Sequence, residues 1–248
     1  MTLLCTTRDR SAYETGRLAP GDARLFRPGG IELTARAIGL AHLEAGATVL
    51  DLGSGSGDTV RYLCAQGFNA VGIDCVSEPS ATETPTPGAD AYFVGSAESL
   101  PFAKKTFEAV FAECSISLFE DRERALGECA RVLVDGGQLL ISDVYARQPE
   151  AIAEVRSLRG SCAAGMLVLE ELETSLSNAG FTVNVWEDHS LALRECAARF
   201  LFEYGSLDGL WGCGGSESSQ KVQSAMRAAR AGYFLLIATK RKAAAERD

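Results

Sequence analysis

The run Val49-Leu50-Asp51-Leu52-Gly53-Ser54-Gly55-Ser56-Gly57-Asp58 restricts this chain more than any other, because a β-rich stretch passes into a helical one through three glycines at alternate positions. Glycine is needed where a backbone turns tightly and where a ligand must approach main-chain atoms with no Cβ in the way. The surrounding pattern repeats the same rhythm. Residues 48–52, 70–73, 91–94, 109–113 and 138–142 are short apolar runs without clean alternation, as expected of strands buried on both faces. Helical periodicity covers 30–43, opened by Pro28-Gly29-Gly30, then 58–66 and 122–134, the last closed by Asp135-Gly136-Gly137. Strands alternating with helices predict a doubly wound, mostly parallel α/β sheet. Pro79, Pro85 and Pro87 interrupt the rhythm, so 77–90 reads as a loop. Beyond Tyr145 the reading is a crossing segment or lid (146–165), a helix (168–179), a strand (181–187) and a helix (190–204). A glycine-rich loop (205–219), a helix to about 230, a strand (233–239) and a solvated basic tail complete the chain.

The glycine turn suits three ligand classes, and its neighbours separate them. A phosphate-gripping loop needs Gly-Lys-Ser/Thr, but the chain offers Gly57-Asp58-Thr59. A dinucleotide fingerprint beginning at Gly53 needs glycine at 58, where Asp58 stands. A carboxylate at a helix start repels the pyrophosphate that would sit there. With Asp51 it favours a cationic ligand, although Asp58 by itself reads as a helix cap. The formal charge of -9 works in the same direction, since its field repels nucleic acid and anionic membranes, so neither is expected as a partner. No apolar run approaches the roughly 20 residues of a membrane span. The short apolar start, Met1 to Cys5, runs into Arg8, Asp9 and Arg10 and does not read as an export signal. Eight cysteines, at 5, 64, 75, 114, 129, 162, 196 and 213 with no CxxC, read as reduced thiols of a cytoplasmic protein.

The glycine run resembles the first motif, DxGxGxG, of class I S-adenosylmethionine-dependent methyltransferases, and the resemblance extends in order over roughly residues 30–145. Val71-Gly72-Ile73-Asp74 matches the strand ending in the ribose-binding acid. Gly95-Ser96-Ala97-Glu98-Ser99-Leu100-Pro101-Phe102 looks like the adenine-side segment. Phe107-Glu108-Ala109-Val110-Phe111 matches the FDxVx strand, and Arg131-Val132-Leu133-Val134-Asp135-Gly136-Gly137 the RVLxPGG turn. Two departures are Ser96, where an aspartate is common, and the proline-rich loop in place of a helix. The resemblance implies a Rossmann-like sheet of about seven strands with an antiparallel last strand. It also implies a single domain: a covering segment (1–29), a cofactor core (30–145), and a lid region (146–230) completed by 231–240.

By the same resemblance the cofactor is S-adenosyl-L-methionine. Asp51, Gly53, Ser54, Gly55 and Gly57 would lie along its amino acid part, Asp74 and Cys75 at the ribose, and Ser96, Ala97 and Glu98 at the adenine. Glu113 and Cys114 would face the methyl group, or else be plain strand-end polarity and a small buried thiol. Tyr13 would cover the pocket, and Asp143 or Tyr145 would orient an acceptor or act as base. The acceptor is expected to be a small molecule and the protein a monomer or homodimer. No metal site is expected, because His42 and His189 are isolated. The stretch from Arg159 to Phe181 is similar to arsenite methyltransferases, which would make Cys64, Cys162 and Cys213 soft metalloid ligands. A non-catalytic binding module and a nicotinamide-dependent oxidoreductase are the alternatives.

Overall fold

A computed structural model describes residues 27–75, 91–158, 162–205, 207, 210 and 219–242. The strands are β1 (Thr48–Leu52), β2 (Asn69–Asp74), β3 (Ala91–Val94), β4 (Phe107–Glu113), β5 (Leu133–Tyr145), β6 (Phe181–Asp188) and β7 (Gly232–Lys240). They form one seven-stranded sheet in the order β3-β2-β1-β4-β5-β7-β6. β1 to β5 run parallel, and β7 is antiparallel to both of its neighbours. The chain moves outward from β1 in both directions. That reversal opens a crevice at the carboxyl ends of β1 and β4, where open α/β sheets bind ligands.

The helices among the described residues are α1 (Gly30–Ala41), α2 (Asp58–Ala65), α3 (Arg122–Val132), α4 (Ile152–Arg156), α5 (Leu169–Asn178), α6 (Ser190–Tyr204) and α7 (Ser219–Ala228). Leu33 and Ala37 of α1, Leu63 of α2 and Leu193 of α6 share one core with Val49, Phe111 and Tyr233. Leu126 of α3 and Leu172 and Leu176 of α5 share the other with Leu50, Val110 and Phe234. Neighbouring residues Val49 and Leu50 thus enter opposite cores, which is why β1 lacks an alternating pattern. A further small core lies beyond β5, where Val155 and Met166 meet Val222 and Met226. No helix among the described residues is long and apolar enough to cross a membrane.

Two expectations need correction, and two stretches fall outside the described residues. The helix expected to reach 134 stops at Val132, and Leu133 already pairs with Phe107. The register then shifts between Phe107 and Ala109, so Asp135-Gly136-Gly137 lies within β5 rather than capping a helix. Periodicity alone cannot tell a helix end from a bulged strand start. The basic C-terminal residues are not simply solvated: Lys240 Nζ donates to the Leu133 carbonyl (2.7 Å), and Arg241 to those of Phe181 (2.7 Å) and Ser177 (2.6 Å). The proline-rich stretch and most of 205–218 lie outside the described residues.

Candidate functional site

The glycine turn is stitched to the end of β2, where the Gly53 and Ser54 N–H groups both donate to the Ile73 carbonyl, at 2.8 and 3.1 Å. Its glycines do different jobs. A Cβ on Gly53 would lie 2.6 Å from the Ser115 Cβ, and one on Gly57 would lie 2.2 Å from the Tyr92 hydroxyl. These two admit protein neighbours. A Cβ on Gly55 would meet nothing within 4 Å, and the Gly55 N–H donates to Asp74 Oδ2 at 2.8 Å. The open approach therefore lies over Gly55, beside the acid that ends β2. Ser54 packs over Gly72, whose Cβ would fall 2.7 Å from the Ser54 hydroxyl oxygen.

Asp58 is not the helix cap it was expected to be. Gly57 occupies the cap position, while Asp58 is the first helical residue and accepts from the Ser56 hydroxyl (2.8 Å) and Arg61. Asp51 ends up only 3% exposed. Burial pushes its carboxyl well above the usual carboxylate range; the Glu113 charge adds to this, Arg27 opposes it, and Asp74 adds a smaller push.

Glu113 does not face open space as expected. Its carboxylate accepts from Arg27, from Thr59 Oγ1 (2.7 Å) and from Thr34 Oγ1 (2.8 Å), and the second Arg27 amino group donates to Thr34 at 2.8 Å. Cys114 also turns inward, at φ 54°, with its sulfur 2.9 Å from the Tyr233 hydroxyl, which donates onward to Ser142 (3.2 Å). Burial raises the thiol pKa, so it is held as an unreactive thiol.

The acceptor-side candidates are likewise tied up. Asp143, 1% exposed, accepts from the Ser117 N–H (2.9 Å), the Ser117 hydroxyl (2.8 Å) and the Val144 N–H (2.7 Å), fastening the loop after β4. The Tyr145 hydroxyl donates to Asp188 Oδ2 at 2.8 Å, and burial together with that carboxylate pushes its pKa to about 12. Tyr13 lies outside the described residues. In the segment after β3, Ser96 bonds Glu98, Ala97 is buried, and Glu98 accepts from the Glu120 N–H (3.1 Å), so this segment is braced against the turn before α3. Cys75 is exposed directly after β2.

The expected thiol set is divided. Cys64 lies near the far end of α2 with its sulfur 3.8 Å from the Ala70 carbonyl, at the amino edge of the sheet, so it does not share a site with the carboxyl edge. The turn Cys162–Gly165 docks on the loop after β4, since a Cβ on Gly165 would fall 1.6 Å from the Ser117 carbonyl oxygen. Cys213 lies outside the described residues. Sequence reasoning missed Arg27, Thr34, Thr59, Tyr92 and Ser115. One signal was present for Thr34, a polar residue on the same helical stripe as the buried Ala37 and Ala41.

Comparison with known proteins gives consistent findings. A family described as "Methyltransferase domain" matches residues 50–141. The arsenite methyltransferase of Aquipseudomonas alcaligenes is 32% identical over 171 residues, covering 61% of this chain and 49% of that protein. The chain thus spans about half the length of that relative. O-methyltransferase resE of Aspergillus sclerotiorum is 31% identical over 192 residues, or 73% of this chain and 68% of that protein. Among solved structures, the [4+2]-cyclase SpnF superposes with a TM-score of 0.66 at 26% identity, covering 86% of this chain and 81% of that one. Phosphoethanolamine N-methyltransferase 2 of Haemonchus contortus, in complex with S-adenosyl-L-methionine, gives 0.68 at 18% identity, covering 94% and 59%. The last likeness concerns the fold alone.

Proposed function

The chain belongs to the class I S-adenosylmethionine-dependent methyltransferase family, and from that premise we propose that it transfers a methyl group from S-adenosyl-L-methionine to a small-molecule acceptor. The observation that carries this reading is a buried carboxylate, Asp51, beneath a glycine turn that is open at Gly55. The donor set fits the cofactor. Asp51 suits an ammonium group, the Gly55 backbone leaves room beside it, and Asp74 with Cys75 flanks the place for a ribose. Ser96, Ala97 and Glu98 make the adenine wall. When bound, the cofactor supplies a methyl group already activated by a positively charged sulfur. The chain's own work is to align an acceptor and keep water out.

In this reading Asp143 and Tyr145 shape the acceptor side without acting as bases. Asp143 holds the loop after β4 and Tyr145 holds Asp188, so both set the walls of the entrance. Tyr13 remains the proposed cover. An acceptor that needs little deprotonation, such as a thiolate or a metalloid, suits a site of this kind.

A second reading, an arsenite or thiol acceptor, is favoured by the docking of the Cys162–Gly165 turn on the loop after β4, together with the arsenite methyltransferase likeness. With Cys64 at the opposite edge, the thiol pair in this version is Cys162 with Cys213. The test is transfer of isotopically labelled methyl to a panel of small acceptors that includes arsenite with a thiol. Wild type is expected to label at least one acceptor, and Asp51→Ala to label none. Labelling of arsenite that is lost in Cys162→Ser supports the second reading. Binding of the cofactor with no labelling of any acceptor would instead indicate a non-catalytic module.

A further inference from the structure

The three donors on Glu113 come from three separate elements: Arg27 ahead of α1, Thr34 within α1 and Thr59 in the first turn of α2. Glu113 itself ends β4. One carboxylate therefore ties two helix starts and a strand end to one point, and Arg27 closes the knot by donating to Thr34 and Thr59 as well. Thr59 follows Gly57 by two residues, so fixing it fixes the end of the glycine turn. The Arg27 and Glu113 side chains are 19% and 7% exposed, which leaves little water to replace either partner.

The charges facing Asp51 come from β4 (Glu113), β2 (Asp74) and the segment before α1 (Arg27). Two of the three are negative. Arg27 is the one whose sign favours a carboxylate at Asp51. We propose that Arg27 is a positioning residue: through Glu113 it holds the glycine turn in its open geometry, and it places a positive charge beside the acids that end β1 and β4. The ligand's identity rests on the function proposed above, but the arrangement does not.

The test is therefore made on the ligand-free full chain. Carboxyl carbon resonances are followed against pH, with Asp51 assigned by Asp51→Asn, and backbone amide exchange is measured over residues 53–60. In Arg27→Gln the Asp51 midpoint is expected to rise, because a nearby cation has been removed. Exchange over 57–60 should quicken, and Glu113→Gln should quicken it too. Arg27→Lys, the safeguard against misfolding, restores the charge without the fork that bridges two threonines and a carboxylate. It should return the midpoint towards wild type while exchange stays fast. An unchanged Asp51 midpoint in Arg27→Gln, or unchanged exchange in both Arg27→Gln and Glu113→Gln, overturns the proposal. Failure of the chain to bind S-adenosylhomocysteine would count against the function and leave these readouts to decide the clamp alone.

Discussion

Gly165 and Ser117 approach so closely that a single methyl group decides whether the Cys162–Gly165 turn can seat. With a Cβ only 1.6 Å from the Ser117 carbonyl oxygen, Gly165→Ala must push two backbone segments apart. The expected cost is about 3 kcal/mol of stability, the upper end of overpacking penalties, read by denaturant unfolding at constant m-value. At this scale the sequence was partly legible. Glycines at 53, 55 and 57 mark the turn, but only packing separates the two that admit Ser115 and Tyr92 from the one left open. Asp51 and Asp74 stand where their spacing in the chain predicted them, at the carboxyl ends of β1 and β2. The engagement of Glu113, left open between a pocket-facing and a strand-end reading, was not legible: its partners lie 54 to 86 residues away in the chain, so no local pattern announces it.

At the scale of elements, α1 is held to the edge strand β6 by a forked ion pair, Arg36 Nε and Nη2 to the two Glu187 oxygens, with His189 Nε2 3.0 Å from the same carboxylate. The hydrogen bond from Arg36 pulls the Glu187 pKa down to about 2. Its folded value lies below the unfolded one, so its contribution is complete above the ordinary carboxylate range. It is lost as pH falls from there to about 2. Glu187→Gln should therefore narrow the stability gap between pH 7 and pH 3, compared by thermal melting, and an unchanged gap would contradict the assignment. The effect is modest, because the Arg36 side chain is 51% exposed and salt screens such pairs. Element positions were largely legible, since β1, β3 and α6 begin and end where the apolar pattern puts them. The entry into β5 was not. Its glycines read as a helix stop, whereas they lie in the stretch of β5 where its register with β4 shifts.

Across the whole molecule, the sheet order runs outward from β1 in both directions and so places a crevice at the point of reversal. The chain's net charge of -9 and the acids at the ends of β1 and β2 make that crevice a poor home for pyrophosphate. Family membership does not by itself settle chemistry, since a solved neighbour of the same architecture is described as a [4+2]-cyclase. What lies beneath both the proposed transfer and any other use of the pocket is recognition of a positively charged nucleoside. Calorimetric titration with S-adenosyl-L-methionine, whose sulfonium carries a positive charge, and with S-adenosylhomocysteine, which lacks it, tests this most directly. The account predicts one molecule bound per chain with a weakening of about 10- to 100-fold in Asp51→Asn, the worth of one charge-assisted hydrogen bond. No heat with either ligand, alongside saturable binding of NADH, would contradict it.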